Sequence, residues 1–324
     1  MKHDFPDYGL SKLCGLFGKT RVAIYDYQKR LNNNELQDEI VLQCAQQIRI
    51  DLPRLGTRKL HYKLIPMLKE HQIQIGRDYL FELLDAHKLL IRQRKRKVIT
   101  TNSRHWMRKY INLTKDIVVD RPEQVWVCDI TFVRLHNQWG YLSLITDAYS
   151  RKIMGYCFRM DMSAQGCVEA LQMALKKRQY PEQLLIHHSD RGSQYCSSAY
   201  VELLLKNNIP ISMTENGDPY ENALAERMNG IIKNEFNLYQ SNTGFEITYE
   251  KIRTSIESYN EKRPHSSCNM LTPQEAHQCS GELQKKWKKY PRKTVTSSIK
   301  EAAPASSIKQ GEASFIQQTT SPYL

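Results

Sequence analysis

Three carboxylates stand where carboxylates are not expected by chance. Asp129 interrupts the apolar run VWVCDITFVRL, Asp190 ends the run QLLIHHSD, and Glu226 lies in ALAERMNGIIKNEF. Between them lie 60 and 35 residues. A charge buried in a strand without a partner is costly. Each has an ordinary reading on its own: Asp129 paired with a buried Arg, Asp190 capping a turn with Gly192, Glu226 in solvent. Brought to one point, the three would repel one another unless cations lay between them. An oxygen-only donor set selects magnesium or manganese. Two such ions about 4 Å apart clamp the attacking and leaving oxygens of an in-line phosphoryl displacement. Asp218 and Glu221 are the rivals to Glu226; Glu221 precedes the helix, where a capping role is expected. Lys233 follows Glu226 by seven residues, two helical turns on and on roughly the same face, where an ammonium would hold a DNA phosphate. His187 and His188 are adjacent on a strand and point to opposite faces, so at most one faces the site. No Cys/His set with zinc spacing accompanies them.

The elements that must position these residues are legible in the texture. Residues 125–135, 141–150 and 151–160 read as three strands joined by short turns, an antiparallel meander. Helix 163–178 with Ser163 as N-cap follows, then strand 183–190, helix 197–208, strand 209–214, a loop and helix 223–236. The order β-β-β-α-β-α-β-α is α/β: a ribonuclease H-like mixed five-stranded sheet with flanking helices. Strand carboxyl ends are where sites gather in such sheets, which is where Asp190 falls.

Ahead of this lies a different texture. Two short helices are expected over 9–31, with Leu10, Leu13, Leu16, then Val22, Ile24, Tyr25 and Tyr27 as apolar positions, and a third helix over 35–50. Amphipathic helices over 56–70 and 76–90, with Gly76 in the turn, form a small all-α, helix-turn-helix-type unit. Residues 1–48 carry no net charge, 49–110 carry +11, 111–280 carry −3 and 281–324 carry +5. Basic flanks around a carboxylate-bearing centre attract a polyanion, and each phosphate contact releases counterions. Arg58 and Lys59, and the run Arg92, Arg94, Lys95, Arg96 and Lys97, are the expected DNA contacts. The divisions are a helical DNA-binding region 1–99, a linker 100–122, a catalytic core with a C-terminal helix 123–280, and a basic, then disordered tail 281–324. The 324 residues are 40% hydrophobic and 25% charged, which excludes a wholly disordered chain. No apolar run reaches the roughly 20 residues of a membrane span. The start MKHDFPDYGL has no signal-peptide core, and the 8 Cys form no CxxC pair, as expected of a cytoplasmic protein.

WVCDIT, HHSDRGSQY and ENALAERMNGIIKNE together resemble the integrase core of insertion-sequence transposases, most closely the IS-three family in the part encoded by its second reading frame. The likeness extends through SIESYNEKRPHSSCNMLTPQEAH and back to LPRLGTRKL. It implies an Asp-Asp-Glu catalytic triad at Asp129, Asp190 and Glu226, two Mg2+ or Mn2+ ions, and DNA strand cleavage and strand transfer. It implies as partners double-stranded DNA (the element's terminal inverted repeats and the target), further copies of the chain on that DNA, and a first-frame product, fused or separate. The chain begins at MKHDF without a heptad segment, so the second-frame product alone is expected, in a bacterial nucleoid setting. Cys128 stands where a small hydroxyl residue is common and Glu221-Asn222 where Asp-Asn is common. Arg263 and His265, in the tail motif, are candidates for substrate contact or helix capping. The alternatives are a metal-dependent nuclease on the same fold, or a non-catalytic regulator that occupies element ends.

Overall fold

A computed structural model describes residues 7, 9–92, 106–136, 138–215, 222–238, 243–284 and 286, without the side chains of 28 and 30–33. Met1–Trp287 form one compact unit; residues 288–324, and with them most of the expected tail 281–324, lie outside the described residues. Asp218, Glu221, Arg94, Lys95, Arg96 and Lys97 also lie outside them.

The sheet contains β1 (Val125–Arg134), β2 (Trp139–Asp147), β3 (Ile153–Arg159), β4 (Ile186–Ser189) and β5 (Ile211–Met213) in the order β3-β2-β1-β4-β5. β2 runs antiparallel to both neighbours, while β1, β4 and β5 are parallel. The parallel members need crossovers, which α5 (Ala164–Lys176) and α6 (Ser198–Lys206) supply. This is the ribonuclease H-like mixed sheet expected from the element order. Gly155 shows how closely α5 sits on β3. A Cβ there would lie 2.0 Å from the Ala170 carbonyl oxygen, so only glycine admits the contact.

Alternation along β1 sorts its side chains between two layers. Trp126 and Cys128 face α5 and α6 in one core cluster, with Tyr195, Tyr200 and Leu204. Val125 and Val127 face the other side, against Ala148, Ile186 and Ala225 of α7 (Ala223–Glu235). Asp129 and Thr131 continue that second face, and Val133 ends it in a third cluster.

Four helices precede the sheet: α1 (Leu10–Leu16), α2 (Arg21–Asp51), α3 (Thr57–Glu70) and α4 (Arg77–Ala86). Where the sequence reads as two helices over 21–50, the structure has one of 31 residues, capped by Thr20 Oγ1 accepting from Ala23 N. Three consecutive asparagines suggest a break, yet each costs only tenths of a kcal/mol in a helix, and no Gly or Pro intervenes. Val41, Cys44, Ala45 and Ile48 fix its second half by burial, whereas Val22, Tyr25, Tyr27 and Leu36 are exposed, and α1 buries Leu13 and Cys14 while Leu16 is exposed. α3 and α4 bury Leu60, Leu64, Leu68, Leu80, Leu83 and Leu84.

The helical part is not an isolated unit. Its core runs continuously into Val133, Leu142, Leu144, Met228, Ile232 and the buried face of α8 (Phe245–Lys262). Polar joints follow the same seam: Arg54 N donates to Glu235 O (3.0 Å) and Lys262 pairs with Asp51 (2.8 Å). The stretch from residue 106 to 122 packs on the sheet, with Met107 and Tyr110 on one core cluster and Leu113, Ile117 and Val119 on another. Among the described residues no helix is long and apolar enough to cross a membrane.

Candidate active site

β1 and β4 pair in parallel with Val125 opposite Ile186, Trp126 opposite His187 and Val127 opposite His188. Continuing that register by two residues brings Asp190, one step past the end of β4, opposite Asp129. Register partners on neighbouring parallel strands share a face, so both carboxylates belong to the face that α7 covers. The consequence is electrostatic. Burial, then the charge of Asp190, then more weakly that of Glu226 push the Asp129 carboxyl up to about 7, against hydrogen bonds that favour its ionised form.

α7 runs along β1 and presents a polar stripe at 4-3-4 spacing: Asn222, Glu226, Asn229 and Lys233. The Asn222 side-chain amide donates to Cys128 O (3.1 Å), Asn229 to Asp129 Oδ2 (2.8 Å) and Lys233 Nζ to Thr131 Oγ1 (3.1 Å). The other oxygen, Asp129 Oδ1, accepts from Ile130 N (2.8 Å). Glu226 sits between two rungs of this ladder, in the exposed first turn of α7. Burial pulls the Lys233 ammonium below its usual value, and the Asp129 charge works against that. Asp190 Oδ1 accepts from Gly192 N (2.9 Å), so the turn cap considered for it in the sequence is present. The side-chain oxygens of Asn222 and Asn229 are buried and have no hydrogen-bond partner among the described residues. The site is thus an oxygen-rich recess with excess acceptors, the donor chemistry a hard cation takes. Among the described residues no group of three or more His, Cys, Asp or Glu side chains is close enough to hold a metal ion together. Extension of the β1–β4 register puts Asp190 opposite Asp129, and Glu226 acts on Asp129 more weakly than Asp190 does.

Asn229 is the site residue that sequence reasoning missed. Its position three after Glu226, on the stripe that ends at Lys233, was the available signal. His187 and His188 part as alternation requires. His187 turns away from Asp129 and lies 2.8 Å from Cys128 Sγ and 2.7 Å from Tyr200 OH, held neutral by burial, which drives its pKa down to about 3. His188 lies on the Asp129 face and bonds Ser212 Oγ (2.8 Å). The atypical Cys128 is therefore a fully buried partner of a neutral histidine behind the recess.

The remaining sequence candidates fall elsewhere. Arg58 is exposed at the start of α3. Lys59 turns to the seam, 3.9 Å from Glu235, where burial and then Arg263 bring its ammonium down to about 8. Arg92 is exposed, 3.6 Å from Asp85. Arg263 and His265 are buried fasteners. Arg263 forks onto both Glu235 oxygens (2.7 and 2.6 Å), and His265 bonds Tyr259 OH (2.7 Å).

These features define the class, a ribonuclease H-like integrase core. Accordingly, residues 119–219 and 207–273 match two family models, each described as an integrase core domain. The chain is 34% identical over 265 residues to the insertion element IS600 uncharacterized 31 kDa protein of Shigella sonnei, covering 81% of this chain and 96% of that one. It is 36% identical over 164 residues to the transposase InsF for insertion sequence IS3A of Escherichia coli K12, covering 50% of this chain and 57% of the other. Among solved structures, the HTLV-2 integrase catalytic core domain in complex with magnesium is 20% identical, covering 48% of this chain and 97% of its own, with a TM-score of 0.39. The chain belongs to the IS-three (IS3) family of insertion-sequence transposases.

Proposed function

We propose that Asp129, Asp190 and Glu226 carry out metal-dependent cleavage and strand transfer at the ends of an insertion element. The observation that supports this most is the Asp129–Asp190 register, with the raised Asp129 pKa that goes with it. A carboxyl pushed toward neutrality by burial and, next, by a second carboxylate is a site suited to positive charge. Magnesium or manganese ions, bound by Asp129, Asp190 and Glu226, would neutralise these carboxylates and polarise the scissile phosphate.

The chain's own groups do the rest. The Asn229 amide holds the ionised Asp129 carboxylate in one orientation. Lys233, anchored through Thr131 two positions along β1, offers its ammonium to the DNA backbone beside the reacting phosphate. The first step releases a 3′-hydroxyl at the element end by attack of water. In the second, that hydroxyl attacks a phosphodiester of the target, forming one P–O bond and breaking another. Arg58 and Arg92 contact the DNA flanks, and two ends joined together call for more than one copy of the chain.

The test is strand transfer with element-end duplexes, magnesium and the purified chain, with Asp129→Asn as the variant. Joined products from the wild type and none from the variant are expected. Joining that survives the substitution overturns the assignment. Binding of element ends by the wild type without any cleavage would instead identify a regulator.

A further inference from the structure

The basic flank contains a cleft that the sequence does not reveal. It has a volume of about 830 Å³ and lies where the end of α2, the α2–α3 loop and the exit of α4 meet. Arg49, Arg54, Lys88 and Arg92 line it, with Asp85 as its one acidic residue. Arg49 comes from the last turn of α2, a favourable place for a cation near a helix C-terminus. One of its nitrogens, Nη1, donates to Leu89 O (2.9 Å). The other two, Nε and Nη2, are buried and have no hydrogen-bond partner among the described residues. Helix-end electrostatics accounts for the cation but not for these two idle donors. A buried donor left unmade is costly, so an anion that satisfies both is favoured.

Nε and one Nη of a guanidinium form a fork that matches two oxygens of a phosphate or carboxylate. Arg54 is oriented by donating from Nη2 to Arg92 O (3.0 Å), which holds the cleft's floor to its lip. Four cations against one carboxylate favour the more highly charged, extended anion. The described residues stop at Arg92, the first residue of the run RQRKRK. We propose that this cleft binds a backbone phosphodiester of duplex DNA, with the Arg49 Nε/Nη2 fork on the phosphate oxygens and Arg54, Lys88 and Arg92 around it. The proposal rests on the reading of the chain as a DNA-processing enzyme and adds to it a specific phosphate-binding site away from the carboxylates.

The experiment is equilibrium binding of two labelled duplexes, one of element-end and one of random sequence, across a salt series. Three variants are compared: Arg49→Gln, Lys88→Asn and Asp85→Asn. Lys88 has a φ of 56°, a left-handed conformation that asparagine tolerates well, and its side chain is exposed, so that variant folds. Arg49→Gln and Lys88→Asn are expected to weaken both duplexes alike, roughly 3–10-fold at moderate salt, and to lower the salt slope by about one. Asp85→Asn is expected to tighten both by about 2–5-fold, a gain that a purely structural cleft would not give. Unchanged affinity and slope in all three, with wild-type binding intact, overturns the cleft and leaves the catalytic reading standing. Calorimetric binding of inorganic phosphate that depends on Arg49, with DNA affinity unaltered, also overturns it in favour of a free anion. A wild type that binds neither duplex overturns both readings. Intact, cleft-dependent binding without strand transfer overturns only the catalytic one.

Discussion

The Asn229 side-chain amide donates to Asp129 Oδ2 at 2.8 Å, joining the second turn of α7 to the centre of β1. With the Ile130 amide on Oδ1, this bond fixes the carboxylate in rotation and favours its ionised form, partly offsetting burial and Asp190. Asn229 is thus a positioning residue. Replacing it with leucine of similar size should push the Asp129 carboxyl further up and let it rotate. Strand-transfer activity is expected to fall roughly 10–100-fold, as for other supports of metal ligands. The diagnostic readout is the pH–rate profile, whose acidic limb should move to higher pH. A fall in rate with an unmoved profile would mean that Asn229 merely packs.

Asp129 also makes a stability prediction with a definite sign. Its folded value of about 7 lies above the unfolded value near 3.8. Between those two pH values the folded chain holds more protons than the unfolded chain, so stability falls as pH rises through that window and stays low above it. Asp129→Asn removes the penalty. In metal-free buffer near pH 8 the variant should melt higher than the wild type, by roughly 2 kcal/mol after allowing for the partly solvated recess, and the gap should close near pH 4. Adding magnesium should raise the wild-type melting temperature and leave the variant's unmoved. Thermal melts with and without the metal check both statements.

The sheet was legible because its strands alternate or run apolar between clear turns, and every strand and crossover helix from Val125 to Glu235 falls close to its expected place. The carboxylates stood out for the reason they are costly: Asp129 is the one acidic residue in an otherwise apolar stretch of β1. What the sequence concealed is pairwise. The β1–β4 register, the Asn229 bond and the inward turn of Lys59 depend on which elements become neighbours, and local spacing carries none of that. The continuity of α2 was missed because a run of asparagines mimics a boundary while the deciding burial lies further along, at Val41 to Ile48. Arg263 and His265, singled out by their place in the tail motif, were open to substrate contact or helix capping. In the folded chain their side chains are spent on Glu235 and Tyr259.

The Arg263–Glu235 fork ties the end of α8 to the end of α7, the helix that carries Glu226. Arg263 is 1% exposed, stacks within 5.6 Å of the Tyr259 ring, and has both Glu235 oxygens as partners. Removing one member of such a pair strands the other charge at a cost of about 3–5 kcal/mol. Arg263→Met should therefore destabilise by about that amount in urea unfolding. The double variant Arg263→Met with Glu235→Gln should recover a large part of it. Recovery would locate the loss in the abandoned carboxylate, and its absence would assign the loss to packing against Tyr259.

A second fastener loses stability with rising pH as Asp129 does, but through a cation that stabilises the fold when charged. His277, fully buried after the Thr272 capping box, lies 2.9 Å from Ser150 Oγ at Nδ1 and 3.4 Å from Glu123 Oε1 at Nε2. Its other neighbour is Asp147, 3.8 Å away and itself held by Ser150 Oγ and the amides of Glu123, Tyr149 and Ser150. Burial alone would lower the imidazole's pKa, but Asp147 and Glu123 outweigh it and hold the value above that of a free histidine, with Lys152 opposing. A base whose folded value is raised contributes stability that is complete below its ordinary value and is lost as pH climbs through the folded one. The wild type should therefore lose stability as pH rises above about 6.5. His277→Gln should flatten that limb and cost about 1–3 kcal/mol on the acid side, where two buried carboxylates lose their cation. Melts across the neutral range decide it. A variant that keeps the wild-type slope would mean that His277 is neutral throughout and that Arg178, 3.3 Å from Glu123, and Lys152 carry the charge balance.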